Sequence, residues 1–239
     1  MRRAQIIFVL FMNLWTLQLQ AEKADSCFYV QVDLANRWIW RAASFSEAPV
    51  IQPSIGFTNN KLNISVWGSY AFESKGYTEI DFTVEYQLFN KFKLGLIDYF
   101  TTGDATGAEH KFFNLNEETT SHMLDIYGIH EPFEKTPLSF LYSLWFWGPD
   151  ANAVTKKQNY SAYLEAKYTK SYRHVEATVF TGMTPWEGFY ASGPAWVNVG
   201  LGLSKSLTLG GRVSIPAKIE FILNPETQKT YINAIITLK

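Results

Sequence analysis

The chain has 239 residues, with 21 Lys and Arg against 22 Asp and Glu and a formal net charge of −1. That balance excludes the basic footprint of a nucleic-acid binder, and a hydrophobic fraction of 47% excludes a disordered chain. One cysteine, Cys27, excludes a disulfide framework and any multi-cysteine metal site.

Residues 1–21 read as a signal peptide. Arg2 and Arg3 form a basic start, Ile6 to Leu19 form an apolar core, and Ala21 is the small residue before the cut. That apolar run is shorter than the ~18–20 residues a membrane-spanning helix needs. Glu22, Lys23 and Asp25 separate Cys27 from the core, which argues against a lipid-modified cysteine. Residues 22–239 then form one domain.

From residue 28 onward the hydrophobic pattern has period two. Residues 78–88 alternate most cleanly: Ile80, Phe82, Val84, Tyr86 and Leu88 oppose Glu79, Asp81, Thr83, Glu85 and Gln87. The same alternation recurs over 62–72, 138–146, 160–168 and 213–221, and helical spacing is sustained nowhere. The pattern predicts an all-β chain of about twelve strands. They lie near 28–40, 50–58, 61–72, 77–89, 91–100, 122–130, 137–147, 159–169, 172–183, 196–204, 208–222 and 230–239. Alternate connections differ in length. Those near Asn59-Asn60, Asn90, Glu131–Thr136, Lys170-Ser171 and Lys205–Leu207 are short, whereas 41–49, 73–76, 101–121, 148–158, 184–195 and 223–229 are mostly longer. One end of an up-and-down sheet is therefore tight and the other carries loops, as in transmembrane barrels with short periplasmic turns.

A closed sheet of twelve strands has a backbone radius of roughly 12 Å, too wide to fill with the polar faces of these strands unless they face water. Apolar faces rich in Leu, Val, Ile, Phe and Tyr suit lipid. The expected fold is thus a closed antiparallel transmembrane β-barrel with a polar lumen. The lumen candidates are Asp33, Arg37, Glu79, Asp81, Glu85, Glu165, Lys167, Glu176, Arg212, Lys218 and Glu220. Arg212 and Lys218 are the expected partners of the carboxylates at 79, 81 and 85. In the long loop 101–121, Phe112, Phe113 and Leu115 are costly to leave in water. They are expected at the barrel mouth or inside the lumen, as a constriction.

Several segments occur in a recognisable order: VDLANRWIWR (32–41), IQPSIGF (51–57), ISVWGSYA (64–71), TEIDFTVEY (78–86), LGLIDYF (94–100), PLSFLYSLWFWGPD (137–150), NYSAYLEAKY (159–168), VNVGLGLSKSL (197–207) and IPAKIEFILNPE (215–226). In these the chain resembles the TorF-type porins and related outer-membrane proteins of Gram-negative bacteria. The resemblance implies an outer-membrane barrel and a channel, and carries over no catalytic residue and no solute. The chain departs from the usual barrel ending, an aromatic residue, in closing on Thr237-Leu238-Lys239. Tyr231, Ile232, Ile235, Ile236 and Leu238 still read as a closing strand.

No motif of catalysis or metal binding is present. The four histidines, at 110, 122, 130 and 174, form no His-x-His or His-Glu-x-x-His, and there is no Gly-x-Ser-x-Gly or phosphate loop. The expectation is a narrow outer-membrane channel for small solutes or ions, without cofactor, metal or catalytic residues. Its partners would be outer-membrane lipids, the barrel assembly machinery and the solute itself. A non-conducting structural or surface-interaction barrel is the alternative, ahead of a lipid-acyl hydrolase.

Overall fold

In a computed structural model, residues 27–73, 76–103, 110–152, 154–210 and 213–239 are described. The signal-peptide segment 1–21 and the lumen candidate Arg212 lie outside the described residues. The strands in chain order are β1 (Cys27–Ala35), β2 (Trp38–Trp40), β3 (Ala43–Ser46), β4 (Val50–Thr58), β5 (Leu62–Ala71), β6 (Thr78–Phe89), β7 (Phe92–Gly103), β8 (His122–His130), β9 (Leu138–Trp147), β10 (Ala162–Tyr172), β11 (Val175–Thr184), β12 (Ala195–Leu209), β13 (Val213–Asn224) and β14 (Lys229–Leu238). Twelve of them, β1 and β4 to β14, close one antiparallel barrel in which β1 pairs with both β4 and β14. The all-β, up-and-down, closed architecture expected from the alternation is the one observed.

Period-two patterning sets two faces. One outward residue on each barrel strand (Val30, Ile55, Ile64, Val84, Leu96, Ile126, Tyr142, Tyr168, Val179, Leu201, Ile219 and Ile232) is exposed. Register pairs such as Ile64 with Val84, Val84 with Leu96 and Leu96 with Ile126 join them into a continuous apolar belt. Closure gives each barrel strand a hydrogen-bonded neighbour on both sides, and the belt forms the outer surface of that wall. Tight turns define one end. Asn59 builds the first by accepting backbone N–H bonds from Lys61 and Leu62 at 3.2 and 3.1 Å. Both ends of the described chain lie at this turn end, while the longer connections gather at the opposite, loop end.

Two boundaries differ from expectation in a way that matters. The strands expected to end near 169 and 204 run on to Tyr172 and Leu209, because the alternation continues through them, so the first of these turns falls at 173–174 and Leu209 pairs with Val213. More important, the first strand stops at Ala35 instead of running to residue 40. Asn36 closes the seam with β14: its amide donates to the Ile232 carbonyl at 3.2 Å, and its side-chain oxygen accepts from the Ala234 N–H at 2.7 Å. Residues 37–48 then leave the wall, and β2 and β3 form a small hairpin.

Candidate functional site in the barrel lumen

The hairpin lies across the lumen. At its base Trp38, 6% exposed, packs with Ala35 and Val50 and against Trp67, Tyr77 and Ile235. At its tip Arg41 and Ala42 take left-handed backbone angles, φ 48° and 57°, a tight reversal that places Ala42 among Phe180, Ile222 and Tyr231 of β11, β13 and β14. Trp40 meets Tyr99, Trp145, Phe189 and Tyr190 at ring separations of 5.6–6.5 Å. The hairpin therefore touches wall strands on all sides of the barrel.

Arg41 fastens it there. The guanidinium sits 4.3 Å from the Trp40 ring and 4.4 Å from the Tyr163 ring, donates to the Tyr190 hydroxyl, and lies 3.7 Å from Asp125. Asp125 is fully buried and held in place by Ser143 Oγ at 2.6 Å, the Leu144 N–H at 3.0 Å and Tyr99 Oη at 3.2 Å. Desolvation pushes the Tyr190 hydroxyl above its usual pKa, so it faces Arg41 as a neutral acceptor. Neighbouring glycines make room for the large rings. A Cβ at Gly182 would stand 2.1 Å from Tyr163 Oη, and one at Gly95 2.1 Å from the Tyr127 ring. Each ring occupies the space a side chain would fill on the adjacent strand.

Three cavities surround the hairpin. A vestibule of about 370 Å³ at the loop end is lined by Trp38, Trp40, Phe45, Tyr77, Tyr99, Trp145 and Phe189, with Glu79 and Asp150. A second, about 380 Å³, brings Arg37, Glu79, Asp81, Lys218 and Glu220 together. A third, about 370 Å³, holds Arg41, Glu165, Lys167, Glu176, Lys218 and Glu220. Glu79 borders the first two spaces, and Lys218 with Glu220 borders the last two. One largely aromatic cavity and two polar ones thus adjoin the hairpin.

Among the sequence candidates, the β6 carboxylates face inward at different depths and in different company. Glu85 pairs with Lys93 at 3.3 Å and accepts from Tyr127 Oη at 3.0 Å. Glu79 accepts from Tyr77 Oη at 2.7 Å. Asp81 sits in register between Trp67 and Tyr99, and its Oδ1 is buried without a hydrogen-bond partner. Lys218, expected to neutralise these acids, pairs instead with Glu220 at 3.0 Å, its neighbour two residues along the same face. Arg37 pairs with Glu47 at 2.7 Å. Asp33 accepts from Thr237 Oγ1 at 2.7 Å and Glu165 from Tyr163 Oη at 2.6 Å. Among the described residues no basic group forms an ion pair with Glu79 or Asp81, and no group of three His, Cys, Asp or Glu is placed to hold a metal ion.

The 101–121 loop does not supply the plug in its described part, 110–121. Phe112 packs on Phe82 and Phe100 at 5.9 and 5.1 Å, both outward residues because Asp81 and Tyr99 point inward. Phe113 and Leu115 are 89% and 69% exposed. On the same outer face His122 Nδ1 meets Asp98 at 2.9 Å, covered by Phe112. Arg41, Asp125, Tyr163 and Tyr190 escaped the sequence reading. A signal was present: after Leu34 the alternation breaks, with polar Asn36 in an outward position and apolar Ile39 in an inward one.

No protein-family model matches the chain, and no curated protein matches it. Among solved structures it is similar to the crystal structure of OccK9 (OpdG) from Pseudomonas aeruginosa, with 11% identity and a TM-score of 0.35. That similarity covers 91% of this chain and 63% of the other, so the chain spans less than two thirds of that structure's length.

Proposed function

We propose that the chain is an outer-membrane barrel of a Gram-negative bacterium, exported by its signal peptide, that passes small solutes or ions along a path narrowed by the 37–48 hairpin. The observation that carries this reading is the inverted distribution of polarity. A continuous belt of exposed Val, Ile, Leu and Tyr circles the outside, while Asp, Glu, Lys and Arg line cavities within. In water such a belt far exceeds the few hundred Å² of contiguous apolar surface that soluble monomers expose. In a bilayer it is the lipid-facing surface of a barrel whose backbone groups are paired by closure. The resemblance to TorF-type porins, in the segments quoted above, supports the same reading. Lipids of the outer membrane and the assembly machinery are the implied partners.

The cavities adjoining the hairpin favour conduction, and the buried Arg41 latch favours a resting state of low conductance. A permanently closed structural barrel is the second reading, supported by the same latch. Planar-bilayer recording of the detergent-extracted protein separates them: discrete cation- or anion-carrying openings are expected, and their absence under all voltages would refute the channel. Recovery of the mature chain as a soluble periplasmic protein, with no change in gel mobility on boiling, would refute the membrane assignment.

A further inference from the structure

The vestibule at the loop end has a composition that selects one kind of ligand. Two aromatic groups face it: Trp38, Phe45 and Tyr77, with ring centres 4.9–5.2 Å apart, and Trp40, Trp145 and Phe189, with Trp145 and Phe189 at 4.7 Å. Its described lining holds two carboxylates, Glu79 and Asp150, two histidines engaged elsewhere, His110 with Ser121 and His122 with Asp98, and no Lys or Arg. Both are buried, 7% and 5% exposed, and neither has an ion-pair partner among the described residues. Asp150 is consumed by structure, accepting from the Ser161 N–H and Oγ at 2.7 and 2.6 Å. Glu79 has only the Tyr77 hydroxyl at 2.7 Å outside its own strand, and beyond it stands Asp81 with an unpartnered oxygen. Aromatic faces and buried carboxylates without a basic partner both favour positive charge, most of all a weakly hydrated one whose desolvation costs little.

Size separates an organic ion from a metal. A space of about 370 Å³ equals roughly a dozen waters at ~30 Å³ each, far more than a bare inorganic cation fills. The protein contains its own precedent just beneath. The Arg41 guanidinium is held between the Trp40 and Tyr163 rings, against Asp125, and Trp40 also lines the vestibule. We propose that the vestibule is a binding site for a small organic monocation, a quaternary-ammonium or guanidinium head on a compact apolar body, with the charge directed at Glu79. This deepens the channel reading by naming a ligand class for its outer compartment, and rests on it only for the ligand's onward passage.

The test uses the purified, folded full-length protein in detergent micelles, with protein-free micelles as the blank in equilibrium dialysis. The probes are benzyltrimethylammonium, its uncharged isostere neopentylbenzene, and benzenesulfonate. The cation is expected to bind saturably at one site, at least tenfold tighter than the neutral isostere, with no saturable binding of the anion. Glu79→Gln and Trp145→Leu, each checked for the boiled-versus-unboiled mobility shift of a folded barrel, should each weaken the cation tenfold or more. The parent comparison of cation with isostere decides the matter even where a variant does not fold. Equal affinity for the isostere, no saturable cation binding, or a folded Glu79→Gln that binds like the parent overturns the proposal. A protein that binds the cation yet never conducts in a bilayer keeps this site and loses the channel; one that conducts without binding does the reverse.

Discussion

Replacing Arg41 by Ala tests whether the hairpin is a latch. The substitution removes a charge 3.7 Å from Asp125, whose side chain is fully buried while that of Arg41 is 9% exposed. At an effective dielectric of ~20, a pair at that distance interacts by about 4 kcal/mol. That agrees with the about 3–5 kcal/mol lost when one partner of a buried pair is removed and the other left uncompensated. The lost contacts with the Trp40 and Tyr163 rings add about 0.5–2 kcal/mol each. At 1.4 kcal/mol per factor of ten, the ratio of released to docked hairpin should rise about 10³- to 10⁶-fold. The barrel wall itself is left unaltered, because the hairpin contributes no strand to it. Single-channel recording should show a higher open probability, a larger unit conductance, or both. Pairing Arg41→Met with Asp125→Asn should return most of the closed time, since neither partner is then a stranded charge. An Arg41→Ala protein that folds, inserts and conducts like the parent would mean that the hairpin is held by its apolar contacts alone, and the latch argument would be wrong.

Three further outcomes follow from the geometry. Glu79→Gln with Asp81→Asn should shift the reversal potential in a salt gradient toward anions nearly as far as the triple change that adds Glu85→Gln, because Glu85 already pairs with Lys93 at 3.3 Å; a shift produced by Glu85→Gln alone would contradict this. Deleting residues 111–118 should leave unit conductance unchanged, since Phe112 covers the outer face and Phe113 and Leu115 are exposed, while the vestibule residues His110, Thr120 and Ser121 are kept, and a clear increase would place the loop in the conducting path after all. Gly182→Ala should lower the barrel's unfolding temperature by forcing Tyr163 off its partners Glu165 and Asn198, at 2.6 and 2.8 Å, a cost of about 1–3 kcal/mol; an unchanged transition would show that the ring can move freely.

Alternation along the chain was enough to determine the strand number, the closed up-and-down order and which face of each strand carries the acids. A pleat forces that outcome, because a one-residue slip would turn every apolar side chain inward. The ends of β4 and β8 were legible to the residue, since turn or loop residues bound the alternating runs there. What only the tertiary structure decided is how the lumen is filled. Residues 36–40 end in the strand-favouring run Trp38-Ile39-Trp40, so they read as wall despite the break in alternation, yet Asn36 bonds to the far strand of the seam, 196 and 198 residues away. The Arg41 cage likewise draws on Asp125, Tyr163 and Tyr190, residues that are neighbours only because a barrel brings distant strands around to face one point. Charge pairing was decided the same way: Lys218 pairs with Glu220, which the pleat brings onto its own face two residues along, instead of with an acid across the bore. Sequence periodicity reports what each strand does with its two faces. It carries no record of what meets in the middle.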